Sequence, residues 1–473
     1  MTEEKELKRG LNLPMAIFII IGMVIGASIW VSPAEILSST GPAIFLAYIL
    51  AVIPAIFIAY LSAYLGSAFP ISGGTYVISS RLTGKFGGFM TVWLIILAVG
   101  STLAFLSTTF GVFLGQAFGI PAEAELVFSI IVGLIVLVAF YFLNWIRIEL
   151  SGLIELIITI VGDILVMVIF IIAAIPSFNP SNFEPLFPLG FGPVLFAAVT
   201  FFFSYTGFTL ILDVAGEVKN PKKTIPRALL ISIISLTVLY TLQALMIAGV
   251  QNYSSPVGNV IELILSGGLL PQGVVVFMAI LIAVAIASTL HPSYMAFSRD
   301  IMMIGKEHLF PKRLGKVHEK HKTPIPALTL LFIVGVVFLL VFIPLLEPFY
   351  GVNGAAVLLS AVVGVVVLIL QIPVSIAAII LPKKFPDWHE KAGFKPSLRS
   401  LKVLGVLGAI SSLIFVLLIF TETAAAIIIS LTVFPFAAIG VIVYLITNAK
   451  LKKAGIDVKE ILKTLPKSAS IED

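Results

Sequence analysis

The sequence predicts an all-α polytopic membrane protein with twelve transmembrane helices, two of them broken. Three observations carry that reading: an apolar composition, apolar runs of bilayer length, and basic residues confined to one side of those runs. Of the 473 residues, 59% are hydrophobic and 11% charged. A soluble domain carries about a quarter charged residues. Cysteine is absent, which excludes disulfides and thiolate metal sites.

A helix needs about 20 apolar residues to cross the hydrocarbon. Runs of that kind fall near Pro14–Leu37, Pro42–Phe69, Phe86–Phe118, Glu125–Trp145 and Ser151–Ile175. A second set follows near Gly192–Gly216, Ile225–Val250, Gly273–Ile304, Pro324–Leu346 and Asn353–Leu381. Two more lie near Leu401–Phe420 and Thr423–Thr447. The charged start Met1–Arg9 is short, and the run from Pro14 exceeds a signal-peptide core, so no cleavable signal is expected. With twelve crossings, both termini lie on one side.

The basic residues say which side. Lys5, Lys8 and Arg9 precede span 1, Arg81 and Lys85 follow span 2, and Arg147 follows span 4. Lys219, Lys222, Lys223 and Arg227 follow span 6, and the Arg299–Lys322 stretch follows span 8. Lys383–Lys402 follows span 10, and the remainder lie beyond span 12. All 29 Lys and Arg thus share one face, and the positive-inside rule makes that face cytoplasmic. A plasma-membrane protein with cytoplasmic termini is expected. The net charge of +5 reports this topology and suits anionic lipid at the cytoplasmic face; it does not point to nucleic acid.

Spans 1–5 and 6–10 form two five-helix sets, and because five is odd the second must be inverted in the membrane. The expected division is an N-terminus 1–13, a first repeat 14–176, an inverted repeat 191–381, two extra helices 401–447, and a tail 448–473. Two apolar runs are interrupted at matching points: Gly22-Met23-Val24-Ile25-Gly26-Ala27-Ser28 in span 1, and Ser204-Tyr205-Thr206-Gly207-Phe208 in span 6. A break in lipid frees backbone N–H and C=O groups, each costing several kcal/mol unless satisfied. Paired breaks of this kind point to a binding site at the bilayer midplane. Gly22 and Gly26 alone would equally suit small-residue helix packing.

These residues are recognisable. Gly22 to Trp30 resembles the first-span signature of the amino acid–polyamine–organocation transporter family. Phe203-Ser204-Tyr205-Thr206-Gly207-Phe208 is similar to its sixth span, as is the run Glu217-Val218-Lys219-Asn220-Pro221 continuing to Arg227. Pro70-Ile71-Ser72-Gly73-Gly74-Thr75-Tyr76 looks like the stretch after span 2, and Ser298-Arg299-Asp300 with Thr323-Pro324 like the span 8–9 connection. The resemblance implies an inverted-repeat core of the LeuT type and a secondary amino acid transporter working by alternating access. It implies that the backbone N–H groups of Ala27 and Ser28, beside Gly26, hold the substrate carboxylate. Carbonyls of Val24, Phe203 and Thr206 would take the ammonium, with Phe203 as a lid and Phe208 as a wall. The family usually has Gly where Ser28 stands, and the Ser28 hydroxyl offers one more donor to the carboxylate.

The resemblance leaves the driving ion open between H+ and Na+, with no other cofactor. Several members carry a span 5 lysine at the position of Gly162; span 5 here has no lysine. In sodium-coupled relatives of the fold, span 8 hydroxyls complete a cation site with span 1 carbonyls, which corresponds here to Gly22, Ile25, Ala285, Ser288 and Thr289. The alternative is that Ser288 and Thr289 bond their own helix. Asp163 and Glu155 share a face of span 5, and intramembrane acids are functional suspects. His291 beside Pro292 is a second titratable candidate, or a packing histidine. Asp213, Glu217 and Arg299 would line the exit path or an inner gate.

Other classes fit less well. A polyamine or cationic amino acid exchanger would use Asp213 and Asp163. A channel asks for a polar stripe or charged rings, and a nutrient sensor for a signalling domain. An enzyme asks for convergent histidines or nucleophiles, whereas the five histidines are dispersed without metal-ligand spacing.

Overall fold

A computed structural model describes residues 12–68, 74–146, 152–208 and 220–462. Among them there are helices and connecting turns and no strand. The first span is two pieces. Helix α1 (Leu13–Val24) starts on Asn12, whose side chain accepts from Met15 N at 3.1 Å, with Pro14 in the first turn where its missing N–H costs nothing. It stops at Ile25, which turns extended (φ −68°, ψ 115°). Helix α2 (Ser28–Glu35) resumes after Ala27, and a single turn, α3 (Leu37–Thr40), ends at Gly41 with φ 89°.

Helix α4 (Ile44–Ala68) is an uninterrupted span. Helix α5 (Gly74–Ala117) counts 44 residues, about 66 Å at 1.5 Å per residue and twice the hydrocarbon thickness. Gly84 (φ 86°, ψ 177°) bends it, so residues 74–83 form a short helix set off from the membrane run. Helix α6 (Ala122–Trp145) packs on α5 through glycines: a Cβ on Gly111 would stand 2.6 Å from Ser129 Cα, and one on Gly133 2.9 Å from Ser107 O. Helix α7 (Gly152–Ile158), a π-helical segment (Thr159–Leu165) and α8 (Val166–Ala174) make the fifth run.

Helix α9 (Gly192–Phe202) and a tight turn (Phe203–Tyr205) form the first half of the sixth run. Thr206 is extended and Gly207 has φ 104°, a conformation open to glycine. Then come α10 (Pro221–Val250), the short α11 (Val260–Ser266) and α12 (Gln272–Lys306). Helix α13 (Ile325–Val337) passes through a π turn (Phe338–Phe342) into α14 (Ile343–Lys384), which bends at Gly351 (φ 67°, ψ 174°). Helices α15 (Pro386–Lys391), α16 (Leu398–Leu417), α17 (Thr423–Lys453) and α18 (Val458–Ile461) complete the described chain.

Nine helices among the described residues are long and apolar enough to cross a membrane, and two shorter apolar helices are Leu13–Gly22 and Gly192–Tyr205. The difference from the expected twelve has two physical sources. In each broken run the described apolar helix, Leu13–Gly22 or Gly192–Tyr205, is too short to qualify by itself. The ninth and tenth runs form one helical stretch, Ile325–Lys384, of 60 residues, bent at Gly351. The outer surface is apolar: on α6, Ile131 is 54% exposed, Ile135 62% and Phe142 52%. That exposure of branched and aromatic side chains suits lipid as solvent. Helix α5 packs against α12 and α14, while of the broken runs α1 packs on α10, α2 on α14 and α9 on α4 and α14.

Candidate functional site at the two helix breaks

The two breaks meet at one cavity of about 310 Å³, within the range of small-molecule sites, roughly 300–1,000 Å³. Val24, Gly26, Ser28, Phe203, Thr206 and Phe208 all line it, and Ala27 is fully buried behind them. It runs from the breaks to Thr75, Arg299 and Asp300, at the end where the basic residues sit. Arg299 and Asp300 are the charged residues among the described lining. The lining includes Ala98, Val99, Thr102, Val363 and Val367, four aliphatic side chains and one hydroxyl.

Helix α2 begins at Ser28 with no side-chain cap. Its first N–H groups lack intrahelical acceptors and carry the positive end of the helix dipole, which suits an anionic group. A Cβ on Gly26 would meet nothing within 4 Å, so the backbone there is open to the cavity. Phe203 is 9% exposed and packs edge-on against Phe105 at 5.5 Å.

Two expected roles are altered by local bonding. The Ser28 hydroxyl accepts from Ser204 Oγ at 2.9 Å and pairs with Ser32 Oγ at 3.0 Å. It is a link between the breaks here, already engaged before any carboxylate arrives. The Phe203 carbonyl accepts from Thr206 N at 3.0 Å and from Thr206 Oγ1 at 2.8 Å. Both its lone pairs are used within the turn, so it can take an ammonium only if Thr206 swings away. A polar layer behind the breaks was not read from the sequence: Tyr205 Oη donates to the Tyr48 carbonyl at 3.2 Å, and Gln243 Nε2 to the Ile29 carbonyl at 2.9 Å.

The coupling candidates divide. Thr289 lines the cavity, while Gly22, Ile25, Ala285 and Ser288 do not. The π-helical segment wedges between α1 and α12: a Cβ on Gly22 would fall on Thr159 Oγ1, and one on Gly162 would lie 3.1 Å from Ala285 Cβ. Ser288 Oγ donates to the Ala285 carbonyl at 2.8 Å and Thr289 Oγ1 to the Ile286 carbonyl at 2.7 Å. Each hydroxyl keeps its oxygen lone pairs, the part a hard cation would use. Asp163 is 4% exposed and set away from the cavity. The indole N–H of Trp30 approaches its carboxyl without closing a good hydrogen bond, and Tyr240 is within its electrostatic reach. His291 is buried next to Pro292, which does line the cavity. Asp213 and Glu217 lie outside the described residues, as does the Glu155 side chain.

The mouth of the cavity carries a structure that motif reading missed. Arg81, expected as a loop marker of topology, is 2% exposed. Its guanidinium grips Glu307 through two bonds, 2.6 Å and 2.9 Å. Tyr76 Oη donates to the same carboxylate at 2.5 Å, Tyr76 N to Asp300 Oδ1 at 3.0 Å, and Lys384 Nζ to the Arg81 carbonyl at 2.8 Å. The short helix ahead of Gly84 is thereby clamped to the ends of α12 and α14. The Gly73-Gly74-Thr75-Tyr76 and Ser298-Arg299-Asp300 stretches were the sequence signals near it.

The amino acid permease family profile matches residues 11–447. The chain is 27% identical over 407 residues to the branched-chain amino acid permease BcaP of Bacillus subtilis (strain 168), covering 81% of this chain and 83% of that protein. It is 23% identical over 359 residues to the serine/threonine exchanger SteT of the same organism, covering 72% and 78%. With the Homo sapiens cystine/glutamate transporter it shares 27% over 347 residues, 70% of this chain and 67% of that one. Family and relatives are transporters, not enzymes. A profile match over nearly the whole chain, on a multi-pass helical fold with a cavity at two helix breaks, means that this protein belongs to the amino acid permease family.

Proposed function

We propose that this protein is a secondary transporter that moves neutral amino acids across the plasma membrane by alternating access. The observation that carries the reading is the cavity where both breaks open their backbone. A zwitterion needs donors at one end and acceptors at the other, and broken helices supply both without burying an ionised side chain. The uncapped start of α2 at Ala27–Ser28 receives the carboxylate. Carbonyls near Val24 and Thr206, and that of Phe203 once Thr206 turns, receive the ammonium.

The aliphatic wall of Ala98, Val99, Val363 and Val367 supports a neutral side chain over a polyamine or a cationic amino acid. The branched-chain permease and the serine/threonine exchanger among the relatives are named for neutral substrates. In this reading the chain crosses the bilayer twelve times as two inverted five-helix repeats plus two helices. Its basic face and termini are cytoplasmic, and the conformation described here is open towards the cytoplasm. Arg299 stands at the inner mouth. Either a proton or a sodium gradient drives the cycle.

Purified protein in liposomes should accumulate labelled neutral amino acids under an imposed sodium or proton gradient, and leucine, valine, serine and threonine should compete. Failure to take up or exchange any member of a broad amino acid panel overturns the reading. Competition by putrescine or arginine but not by neutral amino acids overturns the substrate class.

A further inference from the structure

The face opposite the basic one has its own charge pattern. The stretches 10–80, 86–146, 228–298 and 323–382 contain no Lys or Arg, yet Glu35, Glu125 and Glu262 come together there from three of them. Glu35 is the last residue of α2, seven residues from Ser28 and so about 10 Å along the same rigid helix. Its Oε1 lies 2.8 Å from the point that a Cβ on Gly354 would occupy, which seats α2 against α14 just past the bend at Gly351. Glu262 Oε2 accepts from Gly258 N at 2.8 Å. A Cβ on Gly258 would lie 2.9 Å from that oxygen and 2.5 Å from Asn353 Nδ2. Glu262 and Glu125 are the carboxylates whose charge reaches Glu35.

A second, independent observation sits between these acids. Asn353, next to Gly354, is 8% exposed, and its Oδ1 has no hydrogen-bond donor. An orphan acceptor at that depth costs about 1–3 kcal/mol. Those stretches offer no Lys or Arg to neutralise the carboxylates, and like charges drawn together oppose the seating of α2.

We propose that Glu35 is a proton-binding site that latches the gate on the outer face, so that α2 closes onto α14 when Glu35 carries a proton. The proton removes the repulsion from Glu262 and Glu125 and supplies an O–H beside the Asn353 amide. Loss of the proton leaves a carboxylate facing two others, and α2 swings out towards water. Among the described residues, Glu262 from α11 and Glu125 from α6 are the charged groups acting on Glu35. From α14, Tyr350 flanks Gly354 without charge, and α9 and residues 228–250 of α10 carry no charged residue. Because α2 presents Ser28 to the cavity at its other end, outer pH would set the ratio of inward-open to outward-open protein. The proposal rests on the alternating-access reading.

The chain has no cysteine, so one introduced at Ala296, which lines the cavity, reports inward opening by its rate of labelling with a thiol reagent in nanodiscs. Thiol ionisation itself varies with pH, so the quantity read is the ratio of rates in otherwise wild-type and Glu35→Gln backgrounds. The neutral glutamine mimics the protonated acid and keeps α2 latched. The expected result is a ratio near one at pH 6 that falls at least threefold by pH 9. Glu262→Gln should move the midpoint of that fall to lower pH, since removing a like charge lets Glu35 release its proton more readily. A ratio that stays constant from pH 6 to pH 9 overturns the latch. Counterflow of amino acids, measured on the same proteins, tests the transport reading separately; the latch stands or falls on the labelling ratio.

Discussion

The Ser204 hydroxyl donates to Ser28 Oγ at 2.9 Å, and this bond ties the two broken helices to each other at the wall of the cavity. Ser204 belongs to the turn that ends α9, and Ser28 opens α2, 176 positions apart in the sequence. Both are buried, Ser28 at 1% and Ser204 at 3% exposure. The bond fixes the spacing between the two breaks.

Ser204→Ala removes that donor and leaves Ser28 paired with Ser32. A net hydrogen bond is worth about 1 kcal/mol, so amino acid binding should weaken about fivefold, with thermal stability nearly unchanged. Equilibrium binding of a labelled neutral amino acid to the purified variant is the measurement. Unaltered affinity would show that the link does not organise the site.

Two glycines four residues apart should fail in opposite ways. Gly26 has open cavity where a Cβ would go, whereas a Cβ on Gly22 falls on the Thr159 hydroxyl. Gly26→Leu should fill the cavity and lower transport more than tenfold while the protein elutes and melts like wild type. Gly22→Ala should instead overpack the contact with the π-helical segment, costing about 1–3 kcal/mol. Adding Thr159→Ala should recover part of that loss. If Gly26→Leu transported normally, the cavity would not be the substrate route.

These contrasts show which parts of the protein could be read in one dimension. The breaks were visible because Gly, Ser and Thr interrupt runs that are otherwise membrane apolar, and their effect on backbone bonding is local. Which way the Ser28 hydroxyl points was not visible, because its partner Ser204 lies in another helix. Arg81 is the sharper case. Counted as a loop charge, it is buried against Glu307, and a pairing across 226 residues leaves no periodicity to detect. The use of the Phe203 carbonyl by Thr206 depends on a turn conformation that composition does not specify.

His389 should weaken one contact of the loop after α14 as the pH falls. Its Nδ1 lies 2.8 Å from Tyr64 Oη on α4, and nearby Phe394 N and Gly393 N bond Ser67 of the same helix. Partial burial, then the charge of Lys395, lowers its pKa below the ordinary 6.5, with Glu390 opposing. The undocked loop therefore binds a proton more readily than the docked one, so docking is at full strength above about pH 6.5 and loses strength as the pH drops below it. Amide exchange at Gly393 and Phe394, corrected for its intrinsic pH dependence, should speed up from pH 7.5 to pH 5.5. In Lys395→Gln the His389 resonance should titrate closer to the ordinary value. Equal protection at both pH values would remove His389 from the docking of this loop.

The clamp at the cavity mouth should tolerate replacement of both partners better than the loss of one. Arg81 and Glu307 have side chains 1% and 7% exposed, so Glu307→Gln leaves a guanidinium buried without its carboxylate. Removing one partner of such a pair costs about 3–5 kcal/mol, whereas apolar groups of similar volume can replace both at little cost. Glu307→Gln should thus lower the thermal stability of the purified protein strongly. Arg81→Met combined with Glu307→Leu should recover at least half of the loss, although Tyr76 Oη then lacks its acceptor. Tyr76→Phe with the Arg81–Glu307 pair intact should cost less than Glu307→Gln, because it removes one charge-assisted bond of about 1.5–3 kcal/mol and strands no ion. If the double variant melts below Glu307→Gln, the pair contributes more than mutual neutralisation. The ionic geometry itself would then be what holds the short helix to α12.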